Sequence, residues 1–377
     1  MQIKVLIDAR MVLGRPHGIY QYVARMAQGL RVLQEKAPLE YEPVFLVSDG
    51  FPPQIFDGFQ TIRAQSRFLS VGEQFEIPKI LKKGHFKLYH SPSFSSLIHC
   101  PCPWVVTVHD LNHLQFGGIR EKIYYGLILK KFARKAEALL TVSEFSKKDL
   151  CQWLKIDPNK IEVVPNAIKR IAVPSDKNIE EAIRPFALDK KKYFFCFANP
   201  KPHKNILKLI ESYRYFRNHG GRGFELALVG PRMDEVRKLR NLTETSNSGA
   251  EGIVEVKGGV SVEDTLAILA GSCALVSPSL YEGFGLPPVE AATMGIPVLV
   301  SDIPAHREGL AALSETEIKW VKPLDRDGWV NALNAVAHGK LDAPSAQTQE
   351  AILTQNSEQK LGENMDRIYR RVLNTQV

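Results

Sequence analysis

Two sets of short apolar runs alternate with helix-like segments along this chain, and that alternation restricts the fold more than any other feature. Runs rich in Val, Ile and Phe occupy residues 4–8, 44–48, 88–90, 104–109, 139–143 and 161–164, with helical spacing between them over 20–33 and 121–138. Strands that are apolar throughout and separated by helices are covered on both faces, which means parallel sheet. A second set follows at 193–198, 225–230, 253–256, 274–276, 298–301 and 318–321. Between the sets, KRIAVPSDKNIEEAIRPFALDKKKY is polar and aperiodic and reads as a linker. The expected class is α/β, with doubly wound domains at 1–170 and 191–356, a linker at 171–190, and a C-terminal helix within 357–377 that crosses back to the first domain. In open sheets of this kind ligands bind beyond the carboxyl ends of the strands, so the two domains are expected to face a central cleft.

Composition agrees with an ordinary two-domain protein: 377 residues, 44% apolar and 24% charged, with no signature of disorder. MQIKVLIDAR enters a strand-like run directly, without the pattern of a signal peptide, and no apolar run approaches the roughly 20 residues of a spanning helix. The five cysteines are odd in number, which suggests reduced thiols and a cytoplasmic setting. Cys100 and Cys102 are the close pair, and without a second ligand cluster they suggest no metal site. Charge is uneven: residues 1–170 hold 24 Lys/Arg against 15 Asp/Glu, and the remainder 25 against 26. The basic character therefore belongs to the first half.

The most informative stretch is SLYEGFGLPPVEAATMGIPVLVSD, residues 279–302. Gly283 and Gly285 permit a turn tight enough for main-chain N–H groups to face a ligand, and a helix starting near Pro288 adds its positive end. Glu282 and Glu290 flank the turn. Such a loop suits an oxygen-rich ligand.

With these residues in view, the chain resembles the retaining nucleotide-sugar glycosyltransferases of family four, which have two Rossmann-like domains in the glycosyltransferase B (GT-B) fold. The likeness runs through Asp8-Ala9-Arg10 with Gly14 and Gly18, Val108-His109-Asp110-Leu111, Thr141 to Ser146, Val163-Val164-Pro165-Asn166, Pro202-His203-Lys204-Asn205, Leu228-Val229-Gly230, and Glu282 to Glu290 with seven residues between them. In look it is closest to bacterial mannosyltransferases.

The resemblance implies roles. Glu282 would hold sugar hydroxyls, the backbone of Phe284, Gly285 and Leu286 would contact the same sugar, and Glu290 would hold the ribose. Glycosyl transfer passes through an oxocarbenium-like state while the diphosphate gains charge, so fixed donors and carboxylates around the sugar suit the chemistry. Lys204, near a helix start, would face the diphosphate. The family often has Gly-Arg five residues before this lysine, where this chain has Ala198-Asn199. Lys201 is then expected to supply the second charge, as a point contact rather than a planar fork. Gly14 and Gly18 bracket a phosphate-facing turn after the first strand. His109 would lie against the donor sugar, acting through its neutral donor tautomer or its backbone carbonyl. Asp110 is also read as a turn cap, and Ser143 as a helix N-cap. Val256-Lys257-Gly258 is expected to hold the base.

No carboxylate pair on both cleft walls stands out as nucleophile and acid/base, and no DxD lies in a suitable place. The resemblance implies front-face substitution with retention and without a metal or other cofactor, the nucleotide sugar being the donor substrate. GDP-mannose is favoured over a UDP-hexose. A sugar-nucleotide epimerase and a non-catalytic nucleotide-sugar-binding module on the same fold are the alternatives. The expected partners are the nucleotide sugar, a glycan or lipid-linked glycan acceptor of cell-surface polysaccharide synthesis, and an anionic membrane surface, with no nucleic acid. For the membrane, residues 118–140 would form a helix with Lys130, Lys131, Arg134 and Lys135 on a basic face beside an apolar stripe of Ile123, Leu127 and Ile128, with Lys79, Lys82, Lys83 and Lys87 nearby in the domain. That placement is peripheral, at the inner face of the membrane.

Overall fold

The computed structural model describes residues 3–375 apart from 15, 231, 233, 237–251, 257 and 258, and for Arg120 the backbone alone. It divides into two compact units, residues 1–169 with 355–377, and 170–354.

The first unit is built on seven parallel strands among the described residues: β1 Ile3–Asp8, β2 Tyr41–Val47, β3 Gln60–Arg63, β4 Leu88–Ser91, β5 Trp104–Thr107, β6 Ala138–Thr141 and β7 Ile161–Val163. Their order is β3-β2-β1-β4-β5-β6-β7. The second has six, β8 Tyr193–Phe197, β9 Glu225–Val229, β10 Ile253–Val256, β11 Ala274–Ser277, β12 Val298–Ser301 and β13 Ile318–Val321, in the order β10-β9-β8-β11-β12-β13. Both sheets are doubly wound, and the strand order reverses between β1 and β4 and between β8 and β11. Crevices at these two points, beyond the strand ends, are where such sheets bind ligands. Central strands are apolar because both faces are covered: Phe194, Leu226, Ala274 and Leu299 are all buried in the second core.

Edge strand β3 was not expected from sequence. Its residues, Gln-Thr-Ile-Arg, are mostly exposed and carry no apolar run, and pairing with β2 alone makes it a strand.

Two expectations are corrected. Residues 171–190 are not a polar tether. Ser175 caps a helix at Asp176–Ile183, its Oγ accepting from the Asn178 amide at 3.3 Å, and Ile179, Ala182 and Ile183 are buried. That helix packs on Val262–Gly271, so the segment belongs to the second unit. Nor do residues 118–140 form one helix. A helix at Ile119–Tyr124 passes into a wide π-type turn at Tyr125–Leu129, then a short helical piece at Lys130–Phe132 and a tight turn at Ala133–Lys135, before β6 begins. Burying Tyr125, Leu129 and Ala133 in one core sets that winding.

The C-terminal helix Glu358–Asn374 packs on the helix Gly18–Lys36 within the first unit. Gly29 and Gly362 meet where they cross: a Cβ on Gly29 would lie 2.8 Å from the Gly362 nitrogen, and closer still to the Glu358 carbonyl. The same helix carries Tyr369, whose hydroxyl lies 2.6 Å from His90 Nδ1, while His90 Nε2 lies 2.9 Å from Thr107 Oγ1. His90 is wholly buried, so this chain of hydrogen bonds locks the helix to the sheet.

Candidate functional site

In the second unit the chain leaves β8 and reaches a single tight turn at Pro202–Lys204. Asn205 follows with φ 53°, a left-handed conformation that asparagine tolerates. Its Nδ2 donates to the carbonyls of Pro278 (3.0 Å) and Pro323 (2.9 Å), tying the start of the helix Ile206–Asn218 to the chain after β11 and β13. Lys204 is thereby set beside the loop that follows β11.

There, Lys204 Nζ lies 2.6 Å from Glu282 Oε1, and Ser279 Oγ donates to the same oxygen at 2.6 Å. Burial pushes the Glu282 carboxyl up, but the Lys204 ammonium beside it and the hydrogen bonds from Lys204 and Ser279 outweigh it and hold it below the usual carboxylate range. Glu282 is an ionised acceptor at neutral pH. An ammonium and a carboxylate thus share one half-buried position at the point where the second sheet reverses its strand order.

Gly285 caps the helix Leu286–Thr293 with φ 82°, and Pro287 and Pro288 occupy its first turn, where a missing N–H is harmless. A Cβ at Gly285 would lie 2.7 Å from His306 Cδ2. His306, on the helix Pro304–Gly309, is fully buried. Its Nδ1 pairs with the Ser301 carbonyl at 2.9 Å, so Nδ1 carries the proton, and Nε2 has no hydrogen-bond partner among the described residues. Burial lowers its pKa against the pull of Glu282, leaving the ring neutral. Phe284 is buried, while Leu286 and Glu290 are half-buried, Glu290 one helical turn beyond the loop.

The structure therefore gathers Lys204, Glu282, Phe284, Gly285 and Leu286 in one place. Lys201 is exposed on the approach to the turn, where its carbonyl accepts the Lys204 amide at 2.9 Å. Asn199, where the family often has arginine, uses its Oδ1 to accept the Lys201 amide at 3.0 Å, so it shapes the turn and presents no cation. Lys257 and Gly258 lie outside the described residues.

In the first unit, Gly14 has φ 61° and open space around its Cβ position, and Gly18 begins the helix Gly18–Lys36, capped by His17. His109 follows β5 and packs edge-on against Tyr22 with ring centroids 4.8 Å apart. Its Nε2 donates to the Pro92 carbonyl at 3.0 Å, and burial pushes its pKa down to about 4. The ring is neutral and its one N–H is already used, which removes the donor-tautomer role and leaves Nδ1 and the backbone carbonyl. Asp110 accepts the Asn112 amide at 2.9 Å and Ser143 accepts that of Ser146 at 3.0 Å, so both act as local caps.

Sequence reasoning missed Ser279, Asn205 and His306. The first two stand inside the quoted motifs: Ser279 bonds Glu282 three residues on in the same stretch, whereas the carbonyls that Asn205 ties come from the distant segments after β11 and β13. His306 stands beyond the next strand, in PAHREG, and nothing local marks a histidine that supports a glycine so far back in the chain.

Comparison with known proteins gives this geometry a context. Residues 178–352 match the family described as Glycosyl transferases group 1, and residues 35–170 match Glycosyltransferase Family 4. The O-antigen chain mannosyltransferase RfbU of Salmonella typhimurium is 27% identical over 232 residues, covering 61% of this chain and 60% of the relative. O-antigen chain mannosyltransferase B of Escherichia coli is 29% identical, over 57% of each chain. The match thus spans somewhat over half the length of these curated relatives. Among solved structures, HepE of Anabaena in complex with UDP-glucose superposes with a TM-score of 0.74 at 14% identity, over 98% of this chain and all of that one. Two Rossmann-like units of the GT-B fold, matching the models of glycosyl transferases group 1 and glycosyltransferase family 4 in turn, with the glutamate–glycine loop and its lysine in the second, make this chain similar to family-four glycosyltransferases and, among them, to bacterial mannosyltransferases.

Proposed function

We propose that the chain transfers a hexose, with mannose favoured, from a nucleotide sugar to a glycan or lipid-linked glycan in cell-surface polysaccharide synthesis. Transfer retains the anomeric configuration and uses no metal ion or other cofactor. The observation that carries the reading is the Lys204–Glu282 pair beside the Gly285 turn. Without donor, each charge neutralises the other, so neither is buried alone. When the diphosphate arrives, Lys204 turns to it, with Lys201 as the second cation, and Glu282 is released to accept two sugar hydroxyls. Amides of Phe284, Gly285 and Leu286 then face the sugar, Glu290 holds the ribose, and the departing phosphate takes the acceptor's proton.

GDP-mannose is the favoured donor because the O-antigen relatives are mannosyltransferases. A UDP-hexose is the second reading, favoured by the UDP-glucose held by the structurally similar HepE. No helix among the described residues is long and apolar enough to cross a membrane. We place the protein at the cytoplasmic membrane surface, where the excess of Lys and Arg in residues 1–170 meets anionic lipid.

A thermal-shift panel of GDP, UDP, ADP and their sugars tests the donor. GDP and GDP-mannose are expected to raise the melting temperature, and GDP-mannose to be slowly hydrolysed in the absence of acceptor. Stabilisation by uridine nucleotides alone would replace mannose with the UDP-hexose reading. Stabilisation by none would remove the transferase reading.

A further inference from the structure

The first unit carries an apolar row that its own core does not use. Ile119, Ile123 and Leu127 are 79%, 53% and 69% exposed, at fourfold spacing on one helical stripe, while Tyr125 and Leu129 on the other side are buried. Val71, Phe75 and Ile98 form a second group, each more than half exposed. Both groups border one short segment. Gln74, next to Phe75, donates to the Ser96 carbonyl (3.2 Å) and accepts the Ile98 amide (2.8 Å), and the Tyr124 hydroxyl, next to Ile123, accepts the Ser96 amide at 3.0 Å.

Cations flank the apolar side chains. On the helix Glu73–Lys83 the exposed face runs from Phe75 to Lys79, Lys82 and Lys83, and Lys122 and Lys131 are exposed beside the other row. The carboxylates are mostly engaged elsewhere: Glu73 is buried against Arg10, and Glu76 accepts the amides of Gln65 and Ser66, which leaves Glu121 as the exposed acid of these two helices. The expected basic cluster at 130–135 is partly committed to the fold. Arg134 donates to the Leu154 carbonyl, and Lys130 lies 5.8 Å over the Trp153 ring.

We propose, deepening the membrane reading above, that this face docks on an anionic bilayer by inserting Ile119, Ile123, Leu127, Val71, Phe75 and Ile98 among the acyl chains, while the lysines reach headgroup phosphates. An apolar row rimmed by lysine is the chemistry of a surface lying in the lipid interface. Lysine stems extend along apolar surface and keep the ammonium in water. Cores of protein–protein interfaces are depleted in lysine, which disfavours a second copy as the occupant. Insertion adds a component that salt does not screen, unlike a purely ionic contact.

Flotation of the whole chain with phosphatidylcholine–phosphatidylglycerol vesicles, at low salt and at about 0.5 M salt, tests this. Binding is expected to weaken with salt yet persist. The variant Ile119→Ser, Ile123→Ser, Leu127→Ser should float roughly tenfold less at both salt levels, with unchanged nucleotide-induced thermal shift. Leu127→Trp should bind as the parent does, and its emission should move to the blue on vesicles. Undiminished flotation of the triple variant, complete release by salt, or an unshifted tryptophan would overturn insertion. A dimer in sedimentation velocity that the triple variant abolishes would assign the face to a second copy instead. Donor hydrolysis read on the same samples separates the two proposals: hydrolysis without flotation removes the docking, and flotation without hydrolysis removes the transferase reading.

Discussion

Lys204 Nζ and Glu282 Oε1 lie 2.6 Å apart, joining the turn after β8 to the loop after β11. The two groups assigned to phosphate and sugar are therefore coupled before any donor binds. Glu282→Ala is expected to lower turnover roughly a hundredfold, about 3 kcal/mol of transition-state contacts. Lys204→Ala should nearly abolish donor binding, with Lys201→Ala giving an intermediate loss. The double variant of Lys204 and Glu282 should lose less than the sum of its parts, because contacting residues are not additive. Steady-state kinetics and donor titration calorimetry measure each; near-normal transfer by the Glu282 variant would remove its assignment.

Gly285 tests the support beneath the loop. Gly285→Ala meets both a left-handed φ and the His306 ring, and should destabilise the second unit by about 1–3 kcal/mol while weakening donor binding. Adding His306→Ala should recover the part due to the clash but not the part due to φ. Urea denaturation of the single and double variants reads the difference. Equal stability of the two would mean the ring does not constrain the loop.

His90 makes acid stability measurable. Burial, with a smaller contribution from His109, pushes its pKa down to about 3, whereas an unfolded histidine titrates near 6.5. Between those values the unfolded chain binds a proton that the folded chain does not, so stability falls as pH drops below about 6.5. At about 1.4 kcal/mol per pH unit, going from pH 7 to pH 5 should remove about 2 kcal/mol through this residue. His90→Gln should flatten that slope in denaturant titrations at the two pH values. A parallel loss in parent and variant would place the acid sensitivity elsewhere.

Gly29 and Gly362 set the distance between the first and last helices of the first unit. Gly362→Ala would place its Cβ 2.9 Å from the Gly29 Cα and should cost about 1–3 kcal/mol of stability as the helices part. Chemical denaturation checks it, and an unchanged midpoint would mean that the crossing relaxes freely.

The residues themselves settled much of this protein. Uninterrupted apolar runs such as those around Val5 and Phe195 specify parallel strands covered on both faces, because only helices on either side satisfy that pattern. Glu282, Gly285 and the paired prolines announced a tight loop opening a helix, since backbone conformation at glycine and proline is a local property. What the sequence left open was whatever depended on a distant partner. Edge strand β3 exists through its pairing with β2, and residues 171–190 gain a helix by packing on Val262–Gly271. The segment 118–140 winds unevenly because Tyr125, Leu129 and Ala133 share one core. Tertiary structure alone decided that Lys204 meets Glu282, that the His109 N–H is already used by Pro92, and that His306 lies beneath Gly285. Each joins segments well separated in the chain, and hydrogen bonds and contacts of that kind leave no periodicity for local spacing to reveal.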